Sequence, residues 1–245
     1  MDQQTKAALK EDKFVDTTTH GLEWVKENRQ SVFVTGGIVL AAILIAVIGA
    51  VIYNSRSEAA SVAFGAAMQT YQTPLAAPGA AVPPGVKTFT SAAERAKAGN
   101  AMFLDVANRY GFTPSGRNAR YFAGLTYIEA GQNQQAEDTL KKVASGWDSN
   151  LASLAKFALA HLYHDTGRDP EAVDLYNQLT AKPTTAIPAG VAQLALADMY
   201  SSEGRNDAAK KIYANLKQDD AKGAAGALAA EKLNGPATGR QGAPQ

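Results

Sequence analysis

The sequence predicts an all-α protein in which a single N-terminal transmembrane helix is followed by an α-solenoid of paired helices. Three observations support this fold class. Residues 32–53 contain no charged side chain, and three later segments repeat one pattern of small and large residues. Alanine, which has the highest helix propensity, is abundant throughout the chain.

Composition excludes several classes of function. The chain has 245 residues, with 24 Lys and Arg against 23 Asp and Glu, so its net charge is only +1. Nucleic-acid-binding domains are usually clearly basic, and we therefore expect no nucleic-acid partner. The absence of cysteine excludes disulfides, thiolate nucleophiles, cysteine-ligated zinc and a lipoprotein anchor.

The apolar segment 32–53 has the length of a membrane span. At ~1.5 Å per residue a helix of this segment is roughly 33 Å long, which matches a hydrocarbon core of ~30 Å. A buried core helix rarely stays apolar on every face over so many turns. A cleaved signal peptide has a shorter apolar stretch, closer to the start of the chain. We therefore predict a transmembrane helix.

Charged residues beside this segment predict its orientation. Lys13, Lys26 and Arg29 precede it closely, whereas only Arg56 follows it within a similar distance. Lysine and arginine remain on the cytoplasmic side of a span. The N-terminus should therefore be cytoplasmic, with residues 1–31 forming a short juxtamembrane stub.

Small residues inside the predicted span are candidates for a contact with another membrane helix. Ala42, Ala46 and Ala50 recur every four residues, and Gly37 with Ala41 forms a second pair. Small residues at this spacing let two helices approach closely in a bilayer. The alternative is that alanine is simply frequent in this segment.

The rest of the chain is organised by an internal repeat. Segments 122–143, 158–179 and 195–216 align without gaps, each predicting a first helix A and a second helix B. The equivalent residues are Gly124, Ala160 and Ala197; Tyr127, Tyr163 and Tyr200; Gly131, Gly167 and Gly204; Ala136, Ala172 and Ala209; and Leu140, Tyr176 and Tyr213. The small residues allow helices A and B to pack closely, and the glycine ends helix A in a left-handed conformation. Asn133, Asp169 and Asn206 follow, and we expect them to cap helix B.

This small–large pattern resembles the tetratricopeptide repeat, whose period is about 34 residues. The chain departs from that family where it usually has tryptophan, because Arg120, Lys156 and Gln193 stand there. The predicted domains are the stub 1–31, the span 32–53, connecting helices with a proline-rich loop and a divergent first repeat over 54–116, three repeats over 117–219, and a capping helix with a tail over 220–245.

The resemblance implies that helix A residues line a concave groove suited to a peptide or a helix. The candidate groove residues are Tyr121, Leu125, Ile128, Phe157, His161, His164, Leu194, Asp198 and Ser201. An N-terminal or C-terminal helix of the same chain is the alternative occupant, because the ends of solenoids need caps.

No motif predicts catalysis or a cofactor. His161 and His164 are three residues apart with Asp165 beside them, but a stable metal site usually has three or four supported ligands. We therefore expect lining residues rather than a metal site. No glycine-rich phosphate loop lies between a strand and a helix. We expect no enzyme activity and no small-molecule substrate.

The order of stub, span, long helix and degenerate repeats resembles the ancillary SecYEG translocon subunit family, the YfgM-like bacterial proteins. Residues 22–28, Leu-Glu-Trp-Val-Lys-Glu-Asn, add to this resemblance. It implies a single-pass protein of the bacterial inner membrane with a periplasmic repeat domain. It also implies translocon subunits and a membrane-anchored periplasmic chaperone as partners. The alternative is a scaffold for another envelope assembly, in division, secretion or outer-membrane biogenesis.

Overall fold

The computed structural model describes residues 29–76 and 88–234, and these ranges are helical apart from turns and one isolated bridge between Leu75 and Phe89. The helices are α1 (Arg29–Tyr71), α2 (Ala92–Arg109), α3 (Pro114–Glu129), α4 (Asn133–Ala144), α5 (Ser149–Asp165), α6 (Asp169–Ala181), α7 (Ala189–Ser202), α8 (Asn206–Asp219) and α9 (Ala224–Asn234). Nearly all of the predicted stub, the middle of the predicted loop and the predicted tail lie outside these ranges. The all-α prediction is confirmed.

Helix α1 contains the predicted membrane segment. The chain divides into two compact units after Ser55, and the first unit is described only by the N-terminal part of α1. The side chains described there are exposed, including Phe33 and Ile45 at 78% and 71%. Within the described ranges, α1 is the one helix that is long and apolar enough to cross a bilayer.

The second unit is a stack of helices that contact their neighbours in sequence. From α2 to α9, the main contacts of each helix are with its neighbours in this series. Weaker contacts join α3 to α5 and α7 to α9. Contacts restricted to neighbouring elements are typical of a solenoid. The predicted solenoid is therefore confirmed, with α3, α5 and α7 as helices A and α4, α6 and α8 as helices B.

Three identical turns end the A helices. Gly131, Gly167 and Gly204 have φ values of 72°, 74° and 75°, as predicted for a left-handed residue after a helix. At the second turn the Gly167 N–H donates to the His164 carbonyl at 2.9 Å and the Arg168 N–H donates to the Tyr163 carbonyl at 2.7 Å. The same pair of bonds occurs in all three turns, which makes each one a Schellman motif.

The expected caps of the B helices are wrong. Asn133, Asp169 and Asn206 are the first helical residues, and the N-cap positions belong to the residues before them. None of those residues makes a side-chain capping bond. The reason is that the Schellman turn and the next helix share one residue, which moves the Asn or Asp side chain one position into the helix.

Small residues bring the paired helices together, as the repeat pattern predicts. Ala136 and Ala172 are fully buried, and the large partners Leu140 and Tyr176 are 0% and 1% exposed. A Cβ added at Gly124 would lie only 2.6 Å from Leu140 Cδ2. The first repeat therefore needs glycine where the other two accept alanine.

Before the three repeats, α2 and α3 pack together with the end of α1. The rings of Phe64, Phe103 and Phe122 lie 5.4–5.8 Å apart around this core. Asn100 is buried there and donates from Nδ2 to the Ala123 carbonyl at 2.9 Å. The helices that flank the loop are thus joined through large aromatic side chains.

Candidate protein-binding groove

A pocket of 400 Å³ lies between α5, α6 and α7. Its lining residues are Phe157, His161 and His164 from α5, Tyr176 from α6, and Ala195, Asp198, Met199 and Ser202 from α7. The pocket therefore lies where the A helices of two neighbouring repeats meet, with a helix B tyrosine beneath them. Volumes of this order are usual for binding pockets.

Aromatic rings form the apolar wall of this pocket. The ring of His161 lies 4.8 Å from that of Phe157 and 5.9 Å from that of Tyr176, both edge-on. Burial against these rings lowers the pKa of His161, an effect that the negative charge of Asp165 opposes. Part of the side chain stays exposed. At neutral pH His161 is therefore a neutral ring that suits an apolar ligand.

Asp198 links the pocket to the last two helices. Its Oδ1 accepts a hydrogen bond from the Tyr213 hydroxyl on α8 and pairs with Lys232 Nζ on α9 at 2.8 Å. Burial, and then the Asp198 carboxylate, raise the pKa of Tyr213, so its hydroxyl keeps the donated proton. Asp198 thus holds α7, α8 and α9 together while remaining accessible at the pocket.

His164 occupies the end of the pocket and is held on both sides. Its Nδ1 lies 2.8 Å from Asp169 Oδ1, at the start of α6. Its Nε2 lies 3.2 Å from Ser202 Oγ, at the end of α7. These contacts fix the ring across the junction of the second and third repeats.

The structure brings together only some of the predicted groove residues. Phe157, His161, His164 and Asp198 line the pocket. Tyr121, Leu125 and Ile128 are partly buried against a hydrophobic cluster shared by the three repeats, and they do not line the pocket. Leu194 packs against a buried cluster that includes Ala229 of α9, and Ser201 is exposed outside the pocket. Helix α9 therefore covers the Leu194 side, whereas His161 stays accessible.

Sequence reasoning missed four lining residues, Tyr176, Ala195, Met199 and Ser202. The signal for α7 was present, because Ala195, Met199 and Ser202 have the spacing of one helical face. The predicted face used Leu194 and Ser201, which lie one position away. Tyr176 was assigned to the core, and it is both buried and part of the pocket wall.

A second, smaller cavity of 150 Å³ lies where α4 ends and α5 begins. Arg117, Arg120 and Lys142 line it beside Trp147, which is 80% exposed. The Arg117 guanidinium lies 4.4 Å from the centre of the Trp147 ring. Asp148 lines the same cavity, and within the described ranges none of these three cations forms an ion pair.

The small residues of the membrane segment divide between two faces of α1. At about 100° per residue, Ala42, Ala46 and Ala50 share one side of the helix. Gly37 and Ala41 lie together on a different side. All five are exposed. A partner helix would therefore use one face or the other.

Comparison with known proteins gives one match. A family model described as a tetratricopeptide repeat-like domain matches residues 23–235, a range that includes α1 to α9. No curated protein and no solved structure gave a significant match. The match extends over the apolar segment as well as the repeats.

Proposed function

Because this chain belongs to the tetratricopeptide repeat-like domain family, we propose that it is a membrane-anchored adaptor that serves the Sec translocon and periplasmic chaperoning of secreted proteins. The family assignment implies a protein-binding module, and domains of this kind are typically non-catalytic. The observation that carries the proposal is the accessible aromatic pocket between α5 and α7. The proposal also includes the predicted domains, which are the stub 1–31, the span 32–53, the connecting helices 54–116, the repeats 117–219 and the cap with its tail 220–245.

The lining of the pocket indicates what kind of segment it binds. Phe157 and Ala195 offer partly exposed apolar surface above the buried Tyr176 and Met199, and His161 adds a neutral ring. Asp198 at the edge places a carboxylate beside that surface. The pocket thus fits one or two large apolar side chains from an extended or helical segment, with a polar or basic residue near them.

The membrane anchor and the residues around it support the translocon role. In this proposal α1 spans the inner membrane once, with the N-terminus cytoplasmic and the repeats periplasmic. The resemblance of residues 22–28 and of the whole order of segments to the ancillary SecYEG subunits supports the choice of partner. The face formed by Ala42, Ala46 and Ala50 is the proposed contact with a translocon helix.

Photo-crosslinking from inside the pocket tests the proposal. A photoreactive phenylalanine analogue replaces Phe157 in the full-length protein in its native membrane, and mass spectrometry identifies what it captures. Phe112, which is 92% exposed and outside the pocket, gives a matched control position. We expect translocon subunits or a membrane-anchored chaperone from position 157 and not from position 112. Capture of another envelope complex instead would favour the scaffold alternative and reject the translocon role.

The proposed orientation has a separate test, because the chain contains no cysteine. Ser145→Cys places a single thiol on the exposed turn after α4. Gln3→Cys places one near the N-terminus. A membrane-impermeant maleimide should label the first variant in intact spheroplasts and the second only after permeabilisation. The reverse pattern would show that the repeats are cytoplasmic.

A further inference from the structure

Three side chains that commonly bind metals meet where the second and third repeats join. His164 lies near the end of α5, Asp169 begins α6 and Glu203 follows the last residue of α7. Their ligand atoms all lie within 4.8 Å of one another. His164 Nδ1 is 2.8 Å from Asp169 Oδ1 and 3.8 Å from Glu203 Oε1. The group comes from three segments, so packing between repeats creates it.

Hydrogen bonds on the Nε2 side of His164 orient its ring so that Nδ1 faces Asp169 and Glu203. The Ser202 hydroxyl donates its proton to the Met199 carbonyl at 2.7 Å. Its oxygen can therefore only accept from His164 Nε2, at 3.2 Å. A neutral imidazole that carries its hydrogen on Nε2 has a lone pair on Nδ1. In that tautomer Nδ1 can bind a cation that the Asp169 and Glu203 oxygens also face.

Glu203 gives independent support for a cation at this position. One of its oxygens, Oε2, accepts from Arg205 at 3.2 Å. The other, Oε1, is buried and has no hydrogen-bond partner among the described residues. An unpaired carboxylate oxygen away from water is unfavourable. This oxygen is the one that faces His164 Nδ1.

We propose that His164 Nδ1, Asp169 Oδ1 and Glu203 Oε1 form a binding site for a divalent transition-metal ion of the Zn²⁺ type. Imidazole with carboxylates suits Zn²⁺, whereas Mg²⁺ and Ca²⁺ select oxygen ligands alone. At Zn–ligand distances of ~2.1 Å, tetrahedral ligands lie about 3.4 Å apart. The observed 2.8 and 3.8 Å from Nδ1 bracket that separation, and the two carboxylate oxygens lie within 4.8 Å of each other, so binding requires side-chain adjustment but no change of fold.

The surroundings of the His164 imidazole also fit a metal-binding role. A histidine that binds a metal usually donates its other ring N–H to a nearby oxygen, which fixes its orientation. Ser202 Oγ provides that oxygen here. A bound ion would join α5, α6 and α7 and hold His164 at the end of the pocket. This inference rests on the cluster alone and holds whether or not the pocket binds a partner protein.

Calorimetric titration of the full-length, untagged protein in detergent tests the site. After removal of metals with a chelator, ZnCl₂ should bind with one ion per chain at this site, and MgCl₂ should not. A hundredfold excess of Zn²⁺ over its Kd should raise the Tm by roughly 5–10 °C. No Zn²⁺ binding at ~1 mM would overturn the proposal.

Substitutions test whether the ion binds at these three residues. Asp169→Asn and Glu203→Gln preserve side-chain shape and should weaken Zn²⁺ binding more than about tenfold. Ser202→Ala keeps all three ligands and should weaken it by at least ~10-fold through loss of ring orientation. His161→Asn is the matched control, since His161 lies on the same helix and lines the same pocket without entering the cluster. Unchanged binding in Glu203→Gln, or loss in His161→Asn, would put the ion elsewhere and reject the assignment.

Discussion

Replacing Gly167 by alanine isolates the conformational cost of a repeat turn. Gly167 has a φ of 74°, and a Cβ added there would meet nothing within 4 Å. The substitution therefore changes no packing contact. A left-handed conformation costs an L-residue about 1–2 kcal/mol, and we expect Gly167→Ala to lower the free energy of unfolding by that amount.

Gly65→Ala is the matched control, because it makes the same chemical change in a right-handed helix. Gly65 lies in α1 on the exposed side, and its added Cβ would also meet nothing within 4 Å. Here alanine is favoured over glycine by up to about 1 kcal/mol. The two variants should therefore shift stability in opposite directions.

Thermal unfolding of the full-length protein, followed by circular dichroism, measures both effects. For a domain of this size 1 kcal/mol corresponds to about 2–4 °C in Tm. Gly167→Ala should lower the Tm by roughly 2–8 °C, and Gly65→Ala should leave it unchanged or raise it. Equal shifts in both variants would refute the argument from backbone conformation. Gly167→Asn should lie between the wild type and Gly167→Ala, because asparagine tolerates this conformation better.

Two further predictions concern polar side chains that hydrogen-bond between helices. Asn100→Ala removes hydrogen bonds to the Ala123 carbonyl and to Thr126 Oγ1 and leaves a small void, and denaturant unfolding should show a loss of about 2 kcal/mol. Hydrogen bonds from Lys141, and then from Arg168, lower the pKa of Glu137, so its charge stabilises the fold above the unfolded pKa. The stability difference between wild type and Glu137→Gln should therefore shrink as the pH falls from roughly 5 through the lower folded pKa; a constant difference would contradict this.

The sequence predicted the architecture because its requirements are local and repeated. A left-handed residue after helix A requires glycine, and that requirement appears at Gly131, Gly167 and Gly204. Close helix pairing requires a small residue opposite a large one, and this pattern also recurs three times. The error at the B-helix caps had a different origin. Whether one turn ends as the next helix begins depends on backbone geometry that residue preferences do not specify.

The groove was predicted less completely because equivalent positions in a solenoid have different neighbours. Leu125 and His161 occupy the same repeat position, yet Leu125 packs against the hydrophobic core and His161 lines the pocket. Leu194 is next to the end of the stack, where it packs against a buried cluster to which α9 also contributes. Periodicity therefore identifies the helix that lines a groove, whereas the packing of adjacent repeats decides which residues remain accessible.

The two histidines of α5 show the same distinction within a single turn of helix. Their spacing suggests a shared ligand, with Asp165 as the nearest acid. In the structure His161 contacts the rings of Phe157 and Tyr176. His164 instead faces Asp169 and Glu203, which is distant in sequence but close in space. One ring therefore belongs to the apolar pocket and the other to the junction between repeats. Because one short helical segment carries both, an ion that fixes His164 also fixes the wall against which a partner segment would bind.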